Sequence, residues 1–489
     1  MSKIRKPAVS GMFYPSGKQE LQQMVKVLLQ KAYNLPNSNP KAIIVPHAGY
    51  IYSGAVAASA YKPLKKLKDK IKRVVLFGPS HHVGFDGLAL SDSEYFETSL
   101  GKIEIDQNMT NLIKDLKQVN FLNEAHENEH SLEVHLPFLQ EVFYDGFKLL
   151  PIVVGDASPE EVGQVIEKLW NLEDVIIVVS TDLSHYHDYL TALQLDIATC
   201  FDVENLEISA LDSTRMCGAV AVKGLLHIAE EKNLKVKMID FCNSGDSQYK
   251  DYLSSLPSSR NSIIEKLQQQ DLGNIEKYLN NSGNQGVVGY GSYFVGSEKD
   301  LGYILSVPQK LELLKIAYKV IEHGVKYGEL INNIDTVFQF DHETKISTFV
   351  TLKINGNLRG CIGNIEPQRG IVEDVVYNAF ASAFHDPRFP ALSEEELSQV
   401  NIDISVLSVP KKLDFINEED LLNKIRPEID GLILFENGGY QGTFLPSVWE
   451  NLPSAKEFLN HLKLKAGLHE DYWSDTIKIK RYTTEIITM

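Results

Sequence analysis

The sequence predicts an α/β protein in two parts: an N-terminal α/β sandwich with a largely parallel central sheet, then a smaller α+β domain. Three observations predict it. Short apolar runs rich in branched residues recur through the first 297 residues, at Ala42–Val45, Val74–Phe77 and Val175–Val179. Such runs read as strands buried on both faces, the mark of a parallel sheet. Helical stretches such as Lys18–Tyr33 and Pro159–Leu172 lie between strand-like segments, which is the alternation of α/β architecture. After about residue 297 the pattern changes.

Taken in order, Phe147–Val154, Lys235–Phe241 and Val287–Val295 add three more strands. Gly289, Gly291 and Gly296 in the last of these suggest close packing or a bend. Residues 297–308 read as a linker, so the expected domains are 1–297 and 305–489. A helix is expected after Pro308, with Leu311, Leu314, Tyr318, Ile321 and Val325 on one face. Beyond it, Ser347–Ile354 and Asn401–Leu407 alternate as strands, and Ile371–Ala383 and Ala455–Ala466 read as helices.

The bulk properties narrow the function. A chain of 489 residues exceeds one ordinary core. The net charge of −17 argues against binding nucleic acid through phosphate contacts. No run of 18 apolar residues and no leading basic-then-apolar segment occurs, so neither a membrane span nor a signal peptide is expected. Cys200, Cys217, Cys242 and Cys361 are scattered without a C-x-x-C pair, which fits a reducing cytoplasm.

Each of the first three strands runs into a histidine-bearing loop: Pro46-His47-Ala48-Gly49-Tyr50, Gly78-Pro79-Ser80-His81-His82, and Asp182-Leu183-Ser184-His185. Ligands of open α/β sheets bind at the carboxyl ends of strands, and imidazole with carboxylate is the usual donor set of non-haem iron or catalytic zinc. His47 and His81 are therefore candidate metal ligands, with His82 facing substrate. Asp182 and His185 are three apart, so a helical first turn would put both on one face. Alternatively, Asp182 is a helix cap and His47 a plain loop residue. Glu129-His130-Ser131-Leu132-Glu133-Val134-His135 adds two histidines and two acids; His130 and Glu133 are candidates for substrate binding, and His135 or His185 for acid–base work. The loop after Lys235–Phe241 offers Asp246, or Cys242 as thiolate, for a third ligand.

These four motifs, in this order and with Leu136-Pro137 closing the third, resemble the Memo family (mediator of ErbB2-driven cell motility) over about residues 1–297. The family resembles the LigB-type class III extradiol dioxygenases, which hold Fe(II) with two histidines and one glutamate. The resemblance implies that His47 and His81 bind metal. Animal Memo proteins use a cysteine as third ligand; that position aligns here near Asp246 or Ser247, so Asp246 is the expected ligand, giving two histidines and a carboxylate. Fe(II) is then the expected metal, with copper or zinc as alternatives.

In the second half, Leu358-Arg359-Gly360-Cys361-Ile362-Gly363 is the densest motif. Arginine near a thiol can activate it, but two glycines can equally serve a tight bend with Cys361 as filler. The structural role is the expectation for Cys361, with Arg359, Asp386 and Arg388 forming a cleft for an anionic group. This motif, Ser382–Pro390, Ile402–Ser408 and Gly439–Pro446 resemble the AMMECR1 family over roughly 309–489. Memo-like and AMMECR1-like proteins are associated with a radical-SAM protein in prokaryotes, the "AmmeMemoRadiSam" system. That implies a shared pathway and a radical-SAM partner outside this chain, which has no C-x-x-x-C-x-x-C motif. The expected function is an iron-dependent, dioxygenase-like oxidoreductase acting on a small or peptide-linked substrate. The competing expectations are a non-catalytic metal-binding adaptor and a zinc hydrolase.

Overall fold

The computed structural model describes residues 3–32, 35, 38–246, 286–301, 305, 307–331, 334, 336, 340 and 344–488. The chain divides into two compact units, which separate between Val307 and Pro308.

The N-terminal unit is built on one nine-stranded sheet. Its strands are β1 (Ala42–Val45), β2 (Arg73–Pro79), β3 (Leu88–Leu90), β4 (Val119–Phe121), β5 (Lys148–Val154), β6 (Val175–Ser180), β7 (His185–His187), β8 (Lys235–Asn243) and β9 (Val287–Gly296). The spatial order is β7-β9-β1-β6-β2-β5-β3-β4, with β8 paired to β9. The central pairs β1–β6, β6–β2 and β2–β5 are parallel. Antiparallel pairs join β9 to β1 and β3 to β5. The expected largely parallel sheet is therefore present, with antiparallel additions on both sides.

Helices cover both faces, and the strand residues divide between them with the period of two that the pleat imposes. Ile44, Val75, Phe77 and Ile152 pack with α4 (Pro159–Trp170), α5 (Tyr189–Glu204) and α6 (Ala219–Glu231). Ile43, Val45, Val74 and Leu76 pack with α1 (Lys18–Lys31), α2 (Tyr50–Tyr61) and α3 (Leu136–Phe143). Helix α4 shows why these segments start where they do. Ser158 accepts the Glu161 N–H, Glu161 returns the favour to the Ser158 N–H, and Pro159 fills the first turn, where its missing N–H is not needed.

In the C-terminal unit, α7 (Val307–Tyr327) begins at Val307, one residue before the proline expected to precede it. Its buried face includes Leu313, Ala317 and Val320 as well as Leu314 and Ile321, so it is broader than the expected stripe, and Tyr318 and Val325 are only half-buried. The expected side chain Leu311 lies outside the described residues. Of the expected linker, residues 298–301 form a short helix. Two four-stranded antiparallel sheets follow. One orders β11 (Asn357–Gly363), β10 (Ser347–Ile354), β12 (Val400–Leu407) and β17 (Thr484–Thr488). The other orders β13 (Lys411–Leu413), β16 (Lys478–Tyr482), β14 (Gly431–Glu436) and β15 (Tyr440–Phe444). Helix α8 (Ile371–Phe384) packs on the first sheet; α9 (Ala455–Lys465) packs on the second.

Four core clusters among the described residues each draw on one unit only. A separate core is what lets a domain fold alone. Expressed separately, 1–297 and 305–489 should each give one cooperative thermal transition. Differential scanning calorimetry checks this; aggregation of both pieces beside a well-behaved parent would contradict it.

Candidate metal centre

His47 lies on the loop that leaves β1, and its side chain is buried. Its Nδ1 lies 2.6 Å from the Ser180 hydroxyl at the end of β6. Ser180 also lies 2.8 Å from His135 Nε2 and donates to the Ser131 carbonyl at 2.7 Å. A hydroxyl has one proton and two lone pairs. With its proton on Ser131, Ser180 must accept from both His47 Nδ1–H and His135 Nε2–H. His135 Nδ1 then accepts from the Tyr61 hydroxyl at 3.0 Å. The network thus puts the His47 proton on Nδ1 and leaves Nε2 as a free donor atom. Burial, then the neighbouring histidines His81, His130, His135 and His185, push the His47 pKa well down, so the ring is neutral, the form that binds metal.

His81, after β2, is oriented by Glu129. One carboxylate oxygen accepts His81 Nδ1–H at 2.8 Å, the other the His81 backbone N–H at 2.7 Å. Burial opposes the Glu129 charge, but His81 and the backbone N–H groups of His81 and Ser131 outweigh it and bring its pKa to about 2. A carboxylate bonded to one imidazole nitrogen directs the other at a metal.

The third side chain is Cys217. Its Sγ lies 3.3 Å from His47 Nε2 and accepts the Asp182 backbone N–H at 3.2 Å. One donor atom each from His47, His81 and Cys217 lies within 4.8 Å of the others. Ligands bound at about 2.0–2.3 Å sit roughly 3–4 Å apart, so small side-chain shifts close the set around one ion. Burial, then the Asp182 charge, pushes the Cys217 thiol up to about 12; a bound cation would replace that proton. The donor set therefore fits a metal. Gly218, which follows, is required by space: a Cβ there would lie 2.4 Å from the Ser180 carbonyl oxygen.

Asp246, expected as third ligand, joins no metal-capable cluster among the described residues. Its carboxylate accepts from the Tyr189 hydroxyl at 2.9 Å and the Asn243 N–H at 3.0 Å, closing the turn after β8. Cys242 also stays outside, its sulfur 3.9 Å from the Tyr52 carbonyl, and Ser247 lies outside the described residues.

Glu133, expected to bind substrate, instead anchors the N-terminal segment. It is fully buried, pairs with Arg5, and accepts from Ala8 N–H at 2.6 Å, Val9 N–H at 3.1 Å and the Tyr14 hydroxyl at 2.6 Å. His135 is likewise buried, with its Nε2 2.8 Å from the Ser180 hydroxyl. Asp182 and His185 do not share a helical turn: His185 begins β7, and Asp182 accepts the His47 backbone N–H at 2.7 Å. Burial raises Asp182 to about 7 against the hydrogen bonds from His47 and Ala48, and its second oxygen lies 3.9 Å from His47 Nε2. His130 stacks on His81 with ring centres 4.5 Å apart and forms a second cluster with His81 and Glu129; exposed His82 sits beyond it, 6.1 Å from His130.

In the C-terminal unit the charges expected to form an anion cleft are each paired. Arg359 is buried and pairs with Glu396 at 2.7 and 2.9 Å. Asp386 holds Arg388 at 2.9 and 2.7 Å and the Cys361 N–H at 2.8 Å. The glycines flanking Cys361 lie in β11 rather than a bend. Each is set by packing: a Cβ at Gly360 would meet the Ser382 carbonyl at 2.1 Å, and one at Gly363 would meet Phe349 at 2.3 Å.

The N-terminal unit is thus a helix-covered, largely parallel sheet with a two-histidine, one-cysteine centre at the carboxyl ends of its strands. Residues 5–256 match the family Memo, described as Memo-like protein, and the chain belongs to that family. Residues 314–487 match AMMECR1. A MEMO1 family protein of Aquifex aeolicus is 36% identical over 255 residues, covering 50% of this chain and 94% of that protein. One from Nitrosopumilus maritimus is 31% identical over 262 residues, with the same coverage of each. An uncharacterized Pyrococcus horikoshii protein, PH0010, of solved structure is 35% identical, covering 36% of this chain and 88% of its own, with a TM-score of 0.33.

Two outcomes follow from this geometry. Ser180→Ala should release the His47 tautomer and weaken metal affinity about 10–100-fold while the fold persists, measured by competition with a chromogenic chelator. Arg5→Ala should strand the Glu133 carboxylate in the core and cost about 3–5 kcal/mol in urea unfolding.

Proposed function

We propose that the N-terminal unit is a mononuclear, metal-dependent oxidoreductase of the dioxygenase type that takes Fe(II) and acts on a small oxygen-bearing molecule. The observation that carries this reading is the convergence of His47, His81 and Cys217, with both imidazoles held in the ligating tautomer by Ser180 and Glu129. When bound, ferrous iron supplies Lewis acidity and a one-electron couple. The chain's own residues supply the rest. Asp182 braces the His47 loop. His185, half-buried and kept neutral by burial, would take a proton from a substrate hydroxyl. A pocket of about 290 Å³ beside Cys217, walled by Ser80, Phe85, Asp86, Asp156 and Gly218, suits a small molecule better than a long peptide. The joining of Memo and AMMECR1 families in one chain supports a shared pathway with a radical-SAM protein.

Zinc is the second reading, favoured by the Cys217 sulfur, since thiolate and imidazole together suit zinc as well as iron. Protein purified without oxygen should carry close to one iron per chain by elemental analysis. His47→Ala, His81→Ala and Cys217→Ser should each lose it, and Asp246→Ala should keep it. Preferential retention of zinc would favour hydrolysis. Iron binding without oxygen uptake across catechol-like and modified-peptide substrates would favour an adaptor.

A further inference from the structure

The centre described above uses one nitrogen of His81. The other nitrogen belongs to a second donor set. Glu129 Oε1 lies 2.8 Å from His81 Nδ1 and 3.4 Å from His130 Nδ1. Donor atoms of these three side chains all lie within 4.8 Å of one another. Nitrogen and oxygen ligands bound at about 2.0–2.2 Å sit roughly 3–3.5 Å apart, so one ion can replace the proton between His81 and Glu129 with little movement. The set is held in place by its neighbours. The Ser131 N–H donates to the same carboxylate oxygen at 2.8 Å, and the His81 N–H donates to the other at 2.7 Å. The His130 ring packs on His81 at 4.5 Å and on Phe13 at 4.8 Å between ring centres.

Charge points the same way. The Glu129 side chain is buried, and its ion-pair partners among the described residues are the rings of His81 and His130. Arg5 pairs with Glu133 and donates to the Glu129 backbone carbonyl instead. A buried carboxylate without a fixed cation is costly, and a bound metal ion removes that cost.

We propose that His81, Glu129 and His130 form a second, outer site for a divalent cation, bridged to the inner centre by the His81 ring. The shared ring makes this site rest on the centre proposed above, whose ion remains the reacting one. Two imidazoles and a carboxylate suit zinc or cobalt(II). Binding releases the His81 Nδ1 proton to solvent. With the inner ion on Nε2, the ring becomes an imidazolate shared by both ions. Its charge, the Cys217 thiolate and the Glu129 carboxylate together offset most of the charge of two dications. The outer cation is therefore regulatory: it takes the proton that Glu129 otherwise holds and changes the ligand the inner ion meets. The His81 and His130 side chains are 27% and 18% exposed, against 2% for His47, so the outer ion exchanges with the medium and leaves on purification while the inner one stays.

The test titrates metal-free full-length protein with cobalt(II) under nitrogen, counting bound ions by equilibrium dialysis. The sulfur-to-cobalt band in the near ultraviolet reports the inner site, since the outer site has no sulfur. The parent should bind about two ions, with the band complete at about one. His130→Phe, which keeps an aromatic ring against His81, should bind about one with the band intact. Cys217→Ser should lose the band and still bind about one; adding His130→Phe to it should abolish binding. Melting temperatures confirm that each variant is folded. A parent that stops at one ion with the band complete, or His130→Phe that still binds two, would overturn the outer site. A parent without the band that binds one ion, lost in His130→Phe, would uphold the outer site and refute the inner one.

Discussion

Parallel strands deliver their carboxyl ends to one edge of a sheet, and the N-terminal site depends on that constraint. Val45 lies beside Ser180, and Phe77 beside Val179, in register across three neighbouring strands. The loops that leave them therefore emerge together, bringing His47, Ser180 and His81 to the same edge without any contact between their segments in sequence. The apolar runs that build the sheet fix where the polar residues meet. Ser180 then converts position into chemistry: a single buried hydroxyl sets the protonation pattern of two imidazoles. The N-terminal segment closes the arrangement from the other side, with Phe13 packed on His130 at 4.8 Å and Arg5 bonded to the His126 and Glu129 carbonyls.

What was legible in the sequence follows the same logic. His47 and His81 could be found because each follows a run that reads as a buried strand. Cys217 could not, because it precedes a helix rather than following a strand; the cue was Cys217-Gly218 ahead of the apolar stretch Ala219–Ala229, with glycine at the helix entrance. Asp246 does follow a strand, but its carboxylate closes the turn after β8, and it joins no metal-capable cluster among the described residues. Glu133 shows a second limit. Its spacing from His130 on one helical turn is as expected, but spacing does not say which side of a one-turn helix faces the core, and Arg5, 128 residues away, decides it.

The C-terminal unit gives a different lesson. Its main strands and helices match the alternation and periodicity in the sequence to within a residue or two. The charges do not sort so simply. Three charged residues near one motif suggested a cleft, yet Arg359 and Asp386 each have a partner of opposite sign, Glu396 and Arg388. Only Glu396 lay outside the motifs, and without it Arg359 reads as available. Buried charges are kept only when paired, so an arginine in an apolar motif carries an implied acid elsewhere.

The pairing of β9 with β1 also governs how this protein can be made. β1 lies at the centre of the sheet and carries the His47 loop, yet its neighbour β9 ends at Gly296, some 250 residues later in synthesis. Cys217 meets His47 across 170 residues. On the ribosome, the nascent chain must therefore hold its central strand with one edge open until nearly the whole first unit has emerged. Such long-range closure slows folding and leaves a strand edge exposed meanwhile. The strand that carries His47 gains its second neighbour only as the second unit begins to be translated, so a metal bound as proposed would enter after synthesis of the first unit rather than during it.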